Sequence, residues 1–279
     1  MVNRKFVFLL GFVVLLIAGC RKQSQSAKDE VVLGDTIALV YAEGFGIIEN
    51  SDYKTLVVYD PWRSRTMLAK YYLVDNDSVD VPVDGMKVKI PIESLAVTAV
   101  TQIEFINLLE EIEKISGVCS PELIYNPKVQ DNYQAGKIVN LGDVFNINLE
   151  KTLLLNPDMV MMSFFKQDDP YSKRVLQAGV PVVYNNEWME SSLLARAEWI
   201  KFFGAFFDKA EEADSIFNFV AEQYESVKKR ALAARKKPKV LTGSNFRGTW
   251  YMPGGKSFMA QLYHDAGADY LYIDNDSKG

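Results

Sequence analysis

Between Leu95 and Tyr184, short apolar segments alternate with stretches whose apolar residues recur at helical spacing. The clearest apolar segments are residues 96–100, 115–118, 159–163 and 182–184. Strands that alternate with helices in this way are typical of a parallel sheet that has helices on both faces. The pattern predicts the α/β class, and we expect residues 93–190 to form one α/β lobe.

The longest helical pattern of the chain follows this region. Residues 191–207 have apolar positions at helical spacing, and residues 209–236 contain neither Gly nor Pro. These last 28 residues would form a helix about 42 Å long, which exceeds what one lobe needs for its own cover. Because a new strand is predicted after Pro238, we expect residues 191–237 to contain a rigid helix that joins two lobes.

The region before residue 93 has a different pattern. Short alternating runs at 37–41, 54–58, 67–74 and 88–90 are separated by turn residues at 75–77 and 84–85. Alternation with a period of two is typical of half-buried strands. We therefore expect a small antiparallel, β-rich appendage over residues 36–92.

The first twenty residues resemble a secretory leader. Arg4 and Lys5 precede an apolar run over residues 6–18, which as a helix would measure about 20 Å and falls short of the ~30 Å bilayer core. Residues 17–20 resemble a lipobox, the motif at which a bacterial leader is cut before a lipidated cysteine; the alternative is an ordinary leader with a chance cysteine. We expect a leader over 1–19, a lipid on Cys20, a polar tether over 20–35, and a membrane-anchored lipoprotein of the bacterial cell envelope.

Composition and motifs limit the chemistry of the chain. Its 31 basic and 36 acidic residues leave a net charge of −5, so we expect no nucleic-acid partner. One histidine, His264, excludes any site that needs two imidazoles, and Cys119 has no imidazole close to it in sequence. Asp168 and Asp169 precede Pro170 and are interpreted as a helix start. No nucleophile elbow, phosphate loop or dinucleotide fingerprint occurs, so we expect no enzyme, no metal and no cofactor.

Several segments, taken in order, resemble the class III substrate-binding proteins of ABC importers, which bind iron–siderophores, haem or cobalamin. They are residues 97–101, 115–119, 148–160, 178–183, 196–204, 253–257 and 266–269. The resemblance covers residues 93–279 and implies two parallel-sheet lobes joined by one rigid helix, with the ligand between them. The family's second lobe continues beyond the length of residues 238–279, so we expect this lobe to be truncated.

The same resemblance implies a function and partners. The chain would be a monomeric, lipid-anchored receptor that captures a chelate and delivers it to an ABC permease and its ATPase subunits. The alternative is a cell-envelope lipoprotein with a hydrolytic or structural role on a similar fold. Glu150 matches a glutamate that, in this family, docks to permease arginines from the rim of the first lobe. Lys256 stands at the comparable second-lobe position, so no second docking carboxylate is assigned.

Ligands of α/β folds lie beyond the carboxyl ends of the parallel strands. The residues predicted there are Thr101, Gln102, Ser120, Phe164 and Trp188 from the first lobe, and Arg247, Trp250 and Tyr251 from the second. Hydroxyl, amide and aromatic groups together would suit a flat, partly apolar chelate. The alternatives are core or interlobe packing for Trp188 and a solvated loop position for Arg247.

Overall fold

The computed structural model of the chain describes residues 35–63, 66–163 and 169–277. These residues fall within a single compact unit that spans Gly34–Gly279. The predicted leader (1–19), the tether up to residue 34, and Phe164 lie outside the described residues.

The N-terminal part of the described chain is a five-stranded sheet. Its strands, in spatial order, are β1 (Asp35–Ile37), β2 (Phe45–Glu49), β3 (Lys54–Tyr59), β4 (Met67–Val74) and β5 (Met86–Lys89). The first four strands pair antiparallel, whereas β5 pairs parallel with β4. The sequence pattern missed β2, and the predicted strand over 37–41 is found instead at residues 35–37.

This sheet packs into the same hydrophobic core as the α/β region that follows it. The ring of Phe45 lies 4.7 Å from that of Trp199, between centroids. The hydroxyl oxygen of the buried Tyr71 accepts a hydrogen bond from the backbone N–H of Tyr184 at 2.9 Å. The β-rich region predicted over residues 36–92 therefore shares one hydrophobic core with the α/β region.

Two buried glutamates hold the segment between β1 and β2. The fully buried carboxylate of Glu198 accepts hydrogen bonds from the backbone N–H groups of residues 40–42, at 2.7–2.9 Å. Glu190 accepts from the N–H groups of residues 43 and 44 and from the indole N–H of Trp199. Burial raises the pKa of Glu190, although the hydrogen bonds that it accepts oppose this. The backbone N–H groups of residues 40–44 thus donate to these two carboxylates.

The central sheet of the first lobe is parallel, as predicted. Its strands are β6 (Leu95–Val97), β7 (Ile115–Val118), β8 (Val139–Asn140), β11 (Met159–Ser163) and β12 (Val182–Asn185), in the order β12-β11-β6-β7-β8, with a small hairpin of β9 (Gly142–Asp143) and β10 (Asn146–Ile147) after β8. The connecting helices are α1 (Val100–Leu108), α2 (Pro127–Gln134), α3 (Leu149–Leu155) and α4 (Pro170–Gln177). Every pair within this sheet is parallel, which brings all the carboxyl ends to one edge.

The predicted helical segment comprises three helices. They are α5 (Leu193–Glu198), α6 (Ile200–Phe206) and α7 (Ala210–Leu232). With 23 residues, α7 is about 34 Å long. It is shorter than the predicted 42 Å because the helix ends at Leu232, before the cluster of cations that precedes Pro238. Its first half packs Phe217 into the main core.

A second α/β segment begins after α7. It contains β13 (Lys239–Val240), the hairpin β14 (Ser244–Phe246) and β15 (Thr249–Tyr251), α8 (Phe258–Asp265), and β16 (Asp269–Tyr270), which pairs parallel with β13. The hairpin replaces the predicted loop over 243–248, because Arg247 (φ 51°) and Gly248 (φ 82°) form a two-residue turn with both residues left-handed. Gly267 packs so closely on α7 that a Cβ atom there would lie 2.5 Å from the Ala231 carbonyl oxygen.

Candidate functional site

The carboxyl ends of β6 and β12 are joined by a hydrogen bond between two residues of the following loops. The hydroxyl of Thr101, in the first turn of α1, donates to Oε1 of Glu187 at 2.6 Å. Thr101 is exposed and Glu187 is buried, so this hydrogen bond links a surface residue to a buried one at the carboxyl ends of the strands. Sequence analysis placed Thr101 at this edge but assigned no role to Glu187.

The side chain of Gln102, a predicted ligand contact, packs inside the first lobe. Its side chain is fully buried, and its Oε1 accepts hydrogen bonds from the backbone N–H groups of Thr98 and Ala99, both at 3.1 Å. Its amide nitrogen points to Asn185 Oδ1 at 3.4 Å. The N–H groups at the start of a helix have no acceptor within the helix. Oε1 of Gln102 accepts from the N–H of Ala99, just before the first residue of α1. It thereby holds the loop after β6 in place.

Within the ranges that the structure describes, four residues at this edge have buried polar side-chain atoms without a hydrogen-bond partner. The atoms are Thr98 Oγ1, Asn185 Nδ2, both amide atoms of Asn186, and Glu187 Oε2. Each of the four side chains is more than nine-tenths buried. Buried polar groups in proteins are almost always paired with protein or water, so a concentration of unpaired ones marks a place where a further polar group belongs. Thr98 was missed because it lies inside the predicted strand.

Trp188 lies directly beside this polar cluster. It is half-buried, and its ring meets that of the exposed Trp62 edge-on, with 6.4 Å between centroids. Its carbonyl oxygen accepts a hydrogen bond from Arg196 Nη2 at 2.6 Å, which fixes the backbone after β12. An aromatic pair next to a polar cluster offers both an apolar surface and hydrogen-bonding groups. Sequence analysis missed Trp62, which lies in the turn after β3.

The loop after β7 contains Cys119 and Ser120. Burial, together with the nearby charge of Asp143, raises the pKa of the Cys119 thiol to about 12, so this group stays protonated at neutral pH and cannot act as a nucleophile. Ser120 adopts a left-handed backbone conformation (φ 46°), and its N–H donates to the Gly142 carbonyl. The half-buried Ser120 remains a predicted ligand contact, and Cys119 is a core residue.

The predicted second-lobe residues lie on the β14–β15 hairpin. Trp250 is 53% exposed and Tyr251 is 56% exposed, and the guanidinium of Arg247 lies 5.1 Å from the ring of Phe246. The predicted ligand contacts of the second lobe thus lie on an exposed hairpin and stay a prediction.

A polar cavity of about 340 Å³ lies where the first lobe, α7 and α8 meet. Its lining includes Tyr41, Ser191, Ser192, Tyr224, Lys256 and Ser257. Close to it, the guanidinium of Arg196 stacks on the ring of Phe258, 3.6 Å from the centroid. This contact joins α5 to the first residue of α8 and so fixes the second α/β segment to the first.

Asp265, near the end of α8, links this helix to α7. Its carboxylate accepts hydrogen bonds from the Tyr224 hydroxyl and the Gln261 amide, both at 2.8 Å, and lies 3.3 Å from Lys228 Nζ. Burial alone would raise the pKa of Asp265, but hydrogen bonds from His264, Tyr224 and Lys228 outweigh burial and lower the pKa. The carboxylate is thus stabilised in its charged form.

We expect the stabilising contribution of Asp265 to disappear in acid. A carboxyl group whose folded-state pKa is lowered stabilises the fold above its unfolded pKa, about 3.8, and loses this contribution as the pH falls through the folded-state pKa. Thermal unfolding of wild type and Asp265→Asn, followed by circular dichroism, should give a Tm difference at about pH 7 that narrows towards about pH 3. A difference that stays constant over this range would contradict the assignment.

Glu150 begins α3 on the surface of the first lobe. It is exposed, and it follows the capping residue Asn148, whose side chain accepts from the N–H of Lys151. Two exposed apolar residues lie close in the chain, Phe145 (84% exposed) and Leu154 (88% exposed). Since Leu154 is four residues from Glu150, both side chains lie on the same face of α3. Glu150 therefore belongs to a mixed acidic and apolar surface.

The part of the chain that the structure describes contains neither a metal-ligand cluster nor a membrane-spanning helix. Within residues 35–63, 66–163 and 169–277, no group of three or more His, Cys, Asp or Glu side chains is arranged to hold a metal ion. Among these same ranges, no helix has the length and apolar character needed to cross a bilayer.

Comparison with known proteins identifies the family. The family described as periplasmic binding protein matches residues 95–278. A lipoprotein of Methanocaldococcus jannaschii is 24% identical over 267 residues, covering 88% of this chain and 64% of the relative. A periplasmic binding protein from Veillonella parvula superimposes with a TM-score of 0.58 at 16% identity, covering 88% of this chain and 71% of that one.

A periplasmic haem-binding protein from Pseudomonas aeruginosa superimposes with a TM-score of 0.53 at 18% identity, covering 67% of this chain and 64% of that one. The chain spans a little less than two thirds of the length of two curated relatives that it matches. The solved structures share its fold, and the family match covers well over half of its residues. The chain belongs to the periplasmic binding protein family.

Proposed function

We propose that this chain is the lipid-anchored substrate-binding component of an ABC importer. It captures an iron–siderophore, haem or cobalamin and delivers it to a permease with its ATPase subunits. The family match supports a binding role rather than catalysis. The haem ligand of the Pseudomonas aeruginosa protein and the lipoprotein name of the Methanocaldococcus jannaschii relative support the ligand class and the anchor at Cys20.

The observation that carries this proposal is the cluster of unpaired buried polar atoms after β6 and β12. An unsatisfied buried donor or acceptor costs about 1–3 kcal/mol, so several together are tolerated only where a function needs them. They lie at the edge where α/β folds bind their ligands. Thr98, Asn186 and Glu187 therefore provide the polar part of the first-lobe site.

The aromatic part of the site is Trp188 with Trp62. A chelate such as a tetrapyrrole or an aromatic siderophore has a flat apolar face and a polar rim. Trp188 follows Glu187 directly, so one short segment presents a ring beside hydrogen-bonding groups. The exposed Trp250 and Tyr251 would cover the opposite face of the ligand from the second lobe.

Glu150 and its apolar neighbours are the proposed contact with the permease. Exposed carboxylates steer association with a basic partner, and exposed aromatic side chains supply much of the binding energy at protein interfaces. Phe145 and Leu154 place apolar surface beside Glu150, which is the composition expected of such a contact.

The function is tested with the full chain and its reconstituted transporter. Ligand-loaded protein should stimulate ATP hydrolysis, and Glu150→Arg should reduce this stimulation because it sets like charges against the permease. Ligand affinity in solution should not change, since Glu150 is separate from the ligand site. Glu222→Arg, on the exposed face of α7, is the matched control and should behave as wild type. Unimpaired stimulation by Glu150→Arg, or a loss of ligand affinity, would contradict the docking role.

A further inference from the structure

The end of the long helix α7 and the connector to β13 carry a concentration of positive charge. We define the basic segment as Lys229, Arg230, Arg235, Lys236, Lys237 and Lys239. No acidic residue occurs between Glu225 and Asp265. In a chain whose acidic residues outnumber its basic ones, 36 to 31, this local composition is a strong charge asymmetry.

All six side chains of the basic segment are exposed. Within the described part of the chain, none of them forms an ion pair, whereas the adjacent Lys228 lies 3.3 Å from Asp265 and 3.8 Å from Glu225. Lys239 is in register with Asp269 on the neighbouring strand, yet the two make no ion pair. No ion pair within the described residues therefore neutralises the charge of the basic segment.

Helix electrostatics explains only part of this segment. Cations in the last turn of a helix interact favourably with its negative end, and this applies to Lys229 and Arg230. The other four cations lie beyond Leu232, outside the helix, where this effect has faded. Placing like charges at such density costs repulsion, which an external anionic partner would relieve.

We propose that the basic segment binds the anionic surface of a lipid bilayer. Clusters of Lys and Arg beside a membrane are attracted to acidic headgroups. Single-stranded nucleic acid, the other polyanion, is bound with interleaved aromatic side chains, and residues 225–239 contain none. The sequence also predicts a lipid on Cys20, and the fourteen residues between Cys20 and Asp35 can span at most about 50 Å. Anchoring would thus keep Asp35, where the described fold begins, within about 50 Å of a membrane.

The test uses residues 20–279 with Cys20→Ser, which lacks the lipid but contains the whole described unit. Co-sedimentation is measured with vesicles of about one part phosphatidylglycerol to two parts phosphatidylcholine, and with phosphatidylcholine vesicles. We expect binding to the anionic vesicles that weakens as salt is added. Combining Arg235→Gln, Lys236→Gln and Lys237→Gln should weaken the affinity for anionic vesicles about a hundredfold, because each cation near such a surface contributes about 1 kcal/mol of binding energy.

The matched control combines Lys89→Gln, Lys128→Gln and Lys137→Gln, which removes the same charge from exposed positions elsewhere. This control should retain the affinity of the unsubstituted chain to within about threefold. Three results would each overturn the proposal: no binding to anionic vesicles, equal binding to both kinds of vesicle, or equal loss in the control. Tighter binding to a single-stranded DNA oligonucleotide than to the anionic vesicles would assign the segment to nucleic acid instead.

Discussion

Glu198→Ala should destabilise the protein by about 3–5 kcal/mol, a large part of the free energy of unfolding of a typical domain. The substitution removes the acceptor of the backbone N–H groups of residues 40–42. It also removes the carboxylate that lies 3.4 Å from the nearly buried Lys201. Each lost hydrogen bond to a charged group costs about 1.5–3 kcal/mol before relaxation.

Denaturant unfolding of the two proteins measures this loss. Glu198→Gln keeps an acceptor oxygen and should therefore lose less free energy of unfolding than Glu198→Ala. Glu222→Ala, at an exposed position of α7, should change the free energy of unfolding by less than about 0.5 kcal/mol. If Glu198→Ala lost no more free energy of unfolding than Glu222→Ala, the hydrogen bonds to residues 40–42 would not stabilise the fold.

Trp188→Ala should weaken ligand binding about tenfold to a hundredfold. The substitution removes a large aromatic surface that the ligand would otherwise cover, and burial of such a side chain contributes about 1.5–3 kcal/mol. Trp250→Ala should have a similar effect from the second lobe. Both changes are measured as the ratio of Kd values by isothermal titration calorimetry.

Two further variants separate ligand contact from packing. Trp188→Phe retains an aromatic ring and should recover most of the affinity. Trp188→Ala should also keep the Tm of wild type within a few degrees if the ring serves the ligand rather than the core. Normal folding of Trp188→Ala and Trp250→Ala, with affinity equal to that of wild type, would show that both residues only pack.

The parallel sheet was predictable because its signal is local. The buried strand 159–163 is a continuous apolar run, and the helix that follows starts at the Asp169-Pro170 pair, where Asp169 accepts from the N–H of Ser172 as a cap. These patterns need no knowledge of distant residues. The same holds for the long helix, whose existence follows from the absence of Gly and Pro.

The remaining features depend on contacts between residues far apart in the chain. Nothing near residues 40–44 indicates that Glu190 and Glu198, about 150 positions later, satisfy their backbone. In the same way, the helical spacing of Gln102 does not reveal whether its amide faces solvent or caps the loop before it. The β14–β15 hairpin was missed because Arg247 adopts the left-handed conformation that turns usually assign to Gly or Asn.

The candidate site was predictable in position but only partly in composition. The rule that ligands lie at the carboxyl ends of parallel strands led to Thr101, Ser120 and Trp188. It could not show that Asn186 and Glu187 carry unpaired buried atoms, because pairing depends on the loops of other strands.

Titration of the tryptophan fluorescence of the full chain with haem, cyanocobalamin and a ferric siderophore tests the central claim most directly. The chain has four tryptophans, and Trp188 and Trp250 are placed where a coloured chelate would quench them. The account predicts saturable quenching by one of these chelates with one ligand per chain, reduced in Trp188→Ala. Linear, unsaturable quenching by all three, or saturation that is the same in Trp188→Ala and Trp250→Ala as in wild type, would contradict it.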